Sequence, residues 1–195
     1  LGEIVSFKSG KFNSGDKKTE GKYKFFTSDA IQPSGYYDEY CFEGDKYIIL
    51  IKDGGSGAGN YGENIGLGKV FLIEKEKTSA TSHQLALYFD ETYKNQINYL
   101  YCYLQVNKNT LMDLAHYTNG LGCISMEKLK NLSIQLPSLE DQEAIIKEME
   151  YFDKLKQMYQ THINYTQVQI KERFDYHLNK CKQSTSNKTE KIEEL

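Results

Sequence analysis

The stretch TNGLGCISMEKLKNLSIQLPSLEDQEAIIKEM, Thr118 to Met149, holds the change of character on which the fold turns. Pro137 stops whatever precedes it, Ser138 is placed to act as an N-cap, and Asp141 three residues later completes a capping-box pattern with acids in the first turn. Beyond Pro137 the chain contains neither glycine nor proline. Apolar side chains then recur at Ile145, Met149, Phe152, Leu155, Tyr159 and Ile163, and again at Val168, Ile170, Phe174 and Leu178. Steps of three and four place them along one stripe of a long helix. Carried to Cys181, that helix is about 65 Å long at 1.5 Å per residue. A preceding domain of about 135 residues has a radius of gyration of only about 14 Å, so part of the stripe asks for another helix. The local alternative is a helical hairpin that breaks between Thr161 and Thr166, where β-branched and polar residues cluster. The last segment, KQSTSNKTEKIEEL from Lys182, is polar and expected to be disordered.

Working back from Pro137, the chain consists of short aromatic and β-branched runs punctuated by glycine, such as Tyr47 to Ile51 (YIILI) and Lys69 to Ile73 (KVFLI), which read as strands. Between them lies DGGSGAGNYGENIGLG, Asp53 to Gly68, in which Gly57, Gly59 and Gly62 match the glycine spacing of a dinucleotide-binding turn. The match fails at its decisive point. A helix should open there to hold pyrophosphate on its N-terminal amides, but ENIGLGKVFLI returns to strand-like residues. The stretch reads as a strand-to-strand loop whose amides can approach a phosphate without a Cβ in the way. The fold class expected is α+β: a β-rich domain over residues 1–137, a long helix over 138–181 and a tail over 182–195.

Composition narrows the function. A hydrophobic fraction of 39% in 195 residues supports one buried domain and an appendage, and no run is long and apolar enough to span a membrane, which points to a soluble cytoplasmic protein. Leu1 in first position points to a chain excised from something longer. Cys41, Cys102, Cys123 and Cys181 are scattered, as are the four histidines, so no zinc-type spacing and no metal site is expected. The two prolines, in Gln32-Pro33-Ser34 and Leu136-Pro137-Ser138, fit neither an adenine methyltransferase motif nor a restriction-nuclease core. There is no P-loop lysine and no serine-hydrolase elbow, and Ser82 and His83, adjacent on a strand, point to opposite faces. No catalytic residue and no cofactor are expected. Net charge is -3, yet residues 1–24 carry six lysines against three acids, so the basic excess lies at the front.

Read in order, these segments resemble the target-recognition domain of type I restriction-modification specificity subunits. LGEIVSFKSGKF (Leu1 to Phe12) is similar to that family's start, where a short helix leads into a lysine-glycine turn. KFFTSDAIQPSGYYDEY (Lys24 to Tyr40) is similar to its strand and loop, and YIILIKDGGSGAG with GKVFLI to its strand, glycine loop and strand core. TSATSHQLAL (Thr78 to Leu87) resembles the threonine-rich strand that follows, and INYLYCYL (Ile97 to Leu104) the helix-like segment near the close. The most specific part is Thr118 to Met149: a strand ending in Leu-Pro-x-Leu, then acid and Gln, then Ile-Ile entering a long helix.

The resemblance implies a non-catalytic chain that binds double-stranded DNA at the major groove and directs DNA methyltransferase subunits, and with them a restriction subunit, to a target. It implies a helix that pairs antiparallel with that of a second copy or a second recognition domain, through Ile145, Met149, Phe152, Leu155, Tyr159 and Ile163. Candidate DNA-binding residues, chosen by loop placement and side-chain chemistry, are Lys8, Lys11, Lys22, Lys24, Thr27, Ser28, Tyr36, Tyr37, Lys52, Ser56, Asn60, His83 and Asn119. Tyr36 and Tyr37 sit in a turn-like run after Pro33, where an exposed ring could touch a base. Two competing readings are a coiled-coil adaptor whose globular end binds protein or sugar, which predicts no salt-dependent DNA binding, and a nucleotide-dependent catalyst, which predicts nucleotide binding at the glycine loop.

Overall fold

A computed structural model of the chain describes residues 1–55 and 65–193, with side-chain surroundings as far as residue 180. Ten strands lie among these: β1 (Val5–Ser9), β2 (Tyr23–Phe26), β3 (Gly35–Tyr37), β4 (Lys46–Ile51), β5 (Asp53–Gly55), β6 (Val70–Glu74), β7 (Thr78–Ala80), β8 (Gln84–Phe89) and, after two of the helices, β9 (Ala115–Thr118) and β10 (Leu121–Ile124). The helices are α1 (Ile97–Val106), α2 (Lys108–Asp113), α3 (Met126–Lys130) and α4 (Leu139–Glu193). They form an α+β fold with three sheets, ordered β1-β8-β4-β6, β3-β2-β7 and β5-β10-β9.

The run YIILI is continuously apolar because β4 is buried on both faces. Ile48 and Leu50 point into a core shared with Leu100, Leu104 and Leu111 of α1 and α2. Tyr47 and Ile49 point the other way, into a second core with Phe12, Phe25, Phe26 and Phe42. β8 follows the same rule, with Leu85 and Leu87 in the first core and Ala86 in the second. The four-stranded sheet is thus the middle layer, with helices on one side and the β3-β2-β7 sheet on the other.

Several local expectations give way to this packing. The opening segment is no short helix. Val5 to Ser9 pair antiparallel with β8, because the alternation of Val5 and Phe7 with Ser6 and Lys8 has period two. Thr78 to Leu87 is two strands, broken at Thr81 to His83: β7 pairs parallel with β2, whereas β8 joins the four-stranded sheet. Tyr36 and Tyr37 lie in a strand, β3, paired with β2, rather than in a turn. Residues 132–136, read as a strand, pair with no strand among the described residues; the Gln135 carbonyl instead accepts the Tyr99 hydroxyl at 2.8 Å.

The start of α4 follows the local chemistry. Ser138 Oγ accepts the Asp141 amide at 3.2 Å and donates to the Asp141 carboxylate at 2.6 Å. Gln142, only 4% exposed, donates from Nε2 to the Pro137 carbonyl at 2.9 Å and to Gln96 Oε1 at 3.3 Å. Replacing Gln142 with Ala strands these two acceptors in a buried site, so thermal unfolding should show a loss of about 1–3 kcal/mol; an unchanged melt would deny the anchor.

The chain divides into two compact units, 1–146 and 147–195. In the second, α4 shows no break between Thr161 and Thr166, whose hydroxyls donate to the carbonyls of Gln157 and His162 within the helix. Its backbone continues past Cys181, where the helix was expected to end, with no glycine or proline to stop it. No helix among the described residues is long and apolar enough to cross a membrane.

Candidate nucleic-acid interface

The expected site residues fall into two groups. One gathers at a single end of the four-stranded sheet, where β1, β4 and the loops around β2, β7 and β8 meet. Gly10 there passes so close to β7 that a Cβ would lie 2.2 Å from the Thr81 carbonyl oxygen, which brings Lys11 beside the β7–β8 turn. The amides of Lys52 and Asp53 both reach the His83 carbonyl, at 3.0 and 3.3 Å, so β4's exit and that turn are tied together. Ser28 is held against Gly66, where a Cβ would sit 2.0 Å from the Ser28 carbonyl oxygen. Ser28, Lys52 and His83, far apart in sequence, therefore share one end, with Lys11 between it and the β3-β2-β7 flank. Ser56 and Asn60 lie outside the described residues.

At the centre of this end Asp53 Oδ2 accepts from Lys52 Nζ at 2.5 Å and from His83 Nδ1 at 3.0 Å. Burial pushes the Asp53 carboxyl up, but the hydrogen-bonding groups of Cys123, Lys52 and His83 and the Lys52 charge outweigh it and hold the carboxyl below its usual value of 3.8. Its ionised form therefore contributes to stability fully above that pH and loses the contribution as the pH falls through the lower folded value. The same carboxylate, as hydrogen-bond acceptor first, then burial and negative charge, raises the Cys123 thiol above its usual 9.0. Replacing Asp53 with Asn removes the charge that disfavours thiolate, so alkylation of Cys123 at pH 8, followed by peptide mass mapping, should speed up; an unchanged rate would uncouple the two groups.

Asn119 and Gly120 form a two-residue hairpin turn with φ of 51° and 80° between β9 and β10, the mirror-image geometry that matches strand twist. Beside it Leu121 pairs with Gly55 and Cys123 with Asp53, so this ribbon continues from the same end of β4. His116, Thr118, Leu121 and Cys123 line its exposed face, while Tyr117, Gly122 and Ile124 turn inward. The sequence reading named only Asn119 here. The Asn-Gly pair between two short runs was the signal for the hairpin and for the alternation of its faces.

The second group lies on the β3-β2-β7 flank and in the open depression beside it, which Lys8, Lys11, Tyr23, Asp38, Glu39 and Tyr40 line. The lysines of this flank are largely paired with acids: Lys11 with Glu39 at 3.8 Å, Lys18 with Asp38 at 2.5 Å, Lys24 with Glu76 at 2.9 Å and Lys77 with Glu43 at 2.9 Å. Lys22 stands over the Tyr23 ring at 5.3 Å. Tyr37 packs edge-on against Phe12 at 4.9 Å and is partly buried, while Tyr36 is 38% exposed. Thr27 is buried, and its hydroxyl bonds to Asp29 at 2.9 Å and Ser34 at 2.7 Å.

On α4, taken by itself, Ile145, Phe152, Tyr159 and Ile163 of the expected pairing stripe are exposed, with Met149 and Leu155 half-buried.

Three comparisons with known proteins bear on this geometry. A family model described as "Type I restriction modification DNA specificity domain" matches residues 1–165. The crystal structure of a type I restriction-modification system S subunit from M. genitalium aligns with a TM-score of 0.62 at 20% identity, covering 78% of this chain and 37% of that one. At that identity the likeness speaks for the fold, and the present chain spans well under half of that subunit's length. No curated protein sequence matches the chain.

Proposed function

The chain belongs to the type I restriction modification DNA specificity family, and from that premise we propose that it recognises a DNA sequence and carries no catalysis of its own. Residues 1–137 are the recognition domain, which binds double-stranded DNA, and α4 over 138–181 is a spacer that pairs antiparallel with the helix of a second copy or a second recognition domain. Two heads held at a fixed separation read a split target, and two identical heads impose a palindrome on it. Methylation and cleavage belong to methyltransferase and restriction subunits that the chain directs to the site in the cytoplasm. With a net charge of -3 and most flank lysines paired to acids, its own affinity for DNA is modest, and the partner subunits supply much of the phosphate contact.

The observation that carries this reading is the extent of the family match, which runs through the recognition domain and on into α4 as far as residue 165. The exposed apolar stripe on that helix supports the pairing. A second line of apolar residues, Tyr151, Met158 and Tyr165 at seven-residue spacing, is also exposed and gives the helix another seam for a partner subunit. The test is methylation of a randomised duplex library by the subunit assembled with its cognate methyltransferase. A defined target among the methylated products is expected, and methylation without sequence preference would defeat the reading.

A further inference from the structure

We propose that the β9–β10 ribbon is the base-reading edge of this domain, inserting its exposed face, His116, Thr118, Asn119 and Leu121, into the major groove. This rests on the DNA-recognition reading and adds to it which element enters the groove. Two-stranded ribbons are one of the two elements that the major groove admits, and β9 and β10 are the hairpin of the β5-β10-β9 sheet, with the short β5 along the far side of β10.

Charge distinguishes the ribbon from the flank where most of the lysines lie. Residues 114–126 contain no aspartate or glutamate. Three acids stand near the ribbon's base: Asp53, held by Lys52 at 2.5 Å and His83 at 3.0 Å, and the exposed Asp113 and Glu127 just outside its two strands. The β3-β2-β7 flank instead presents Asp38, Glu39 and Glu43, each more than half exposed, beside its lysines. A polyanion approaching the flank meets carboxylates set among its lysines, whereas the two strands of the ribbon and their turn carry none of their own.

Shape and rigidity agree with charge. Among the described residues, none has an atom within 4 Å of the position a Cβ would take on Gly120 at the hairpin tip. Its underside is clamped: a Cβ on Gly122 would lie 2.5 Å from Leu67 Cδ2 and 2.8 Å from Tyr117 Cε1, and the Tyr117 hydroxyl donates to the Met112 carbonyl at 3.3 Å. The exposed side chains are therefore carried on a stiff support, which keeps down the ordering cost of binding. Their chemistry suits base edges. Thr118 and Asn119 offer hydrogen-bond donors and acceptors, and His116 offers ring nitrogens. Leu121 is 64% exposed, an apolar contact of the kind that a thymine methyl accepts.

The experiment uses the subunit assembled with its methyltransferase and a randomised duplex library, comparing His116→Ala, Thr118→Ala and Leu121→Ala with Lys22→Ala and Tyr36→Ala on the flank. All five positions are exposed, so folding is checked by an unchanged melt. The ribbon variants should each relax the preference at one or two base positions by about 5- to 150-fold, while the flank variants keep every base preference and at most lower methylation uniformly. Unaltered preferences in the ribbon variants, or relaxed ones in the flank variants, overturn the ribbon assignment while leaving the DNA-recognition reading intact. A wild-type protein without any preference overturns both. A second measurement needs no variant: the selected duplex should slow alkylation of Cys123, which lies on the ribbon's exposed face, and an unchanged rate argues against contact.

Discussion

A chain carrying Phe152→Glu together with Ile163→Glu is expected to be monomeric at concentrations where the unaltered chain self-associates. Both side chains lie on the apolar stripe of α4 and are 51% and 49% exposed. Burying such a side chain against a second helix contributes about 1.5–3 kcal/mol, and a carboxylate in its place must be desolvated or keep the seam open. Two such losses weaken association by about a hundredfold or more, since each tenfold corresponds to about 1.4 kcal/mol. Sedimentation or light scattering across a concentration series measures this directly, with Gln157→Glu, off the stripe, as the control that should change little. Equal association of the double variant and the unaltered chain would remove the stripe as the pairing surface. In a subunit that relies on two heads, the same pair of substitutions should also abolish recognition of a split target while leaving each head folded.

Gly10→Ala should be strongly destabilising, at the end of the four-stranded sheet where β1, β4 and the β7–β8 turn meet. The new Cβ would lie 2.2 Å from the Thr81 carbonyl oxygen and 2.6 Å from that of Ala80. Both are backbone atoms that no rotamer change can move aside, and the amides of Lys11 and Phe12 already bond to the Ala80 oxygen at 3.1 Å. The exit of β1 must shift off β7, at a cost of about 3 kcal/mol or more, toward the upper end of overpacking effects. Urea unfolding gives the number, and Gly15→Ala supplies the contrast. No described residue lies within 4 Å of a Cβ there, so that variant should be neutral or gain up to about 1 kcal/mol through the unfolded chain. Equal stability of the two variants would contradict the close approach at Gly10.

The surroundings of the candidate residues were only partly legible, and the reasons differ from residue to residue. Lys11 and Lys24 are candidates by loop placement and charge, and their sequence neighbours give no hint of Glu39 and Glu76, which the fold brings to them at 3.8 and 2.9 Å. Thr27 was chosen for its hydroxyl, which the turn through Asp29 and Ser34 already occupies. The glycines between Asp53 and Gly68 read as loop flexibility, but Gly66 is required by a close approach to the Ser28 carbonyl, on a segment more than thirty residues away. His116, Thr118 and Leu121, which we propose as reading residues, are not among the sequence candidates, although the Asn-Gly pair between them marks the hairpin.

What the sequence determined by itself is what short-range chemistry controls. The cap at Ser138 and Asp141, the absence of glycine and proline after Pro137, the stripe from Ile145 to Ile163 and the doubly buried run of β4 follow from contacts within a few residues, or from the period of one element. The tertiary structure alone decided that Thr78 to Leu87 divides between two sheets, that the lysines of the flank meet acids, and that loops from four parts of the chain converge beside Asp53. Register and sheet order are set by pairing energies between distant segments, and a single strand's pattern fits several partners equally well until the whole core is packed.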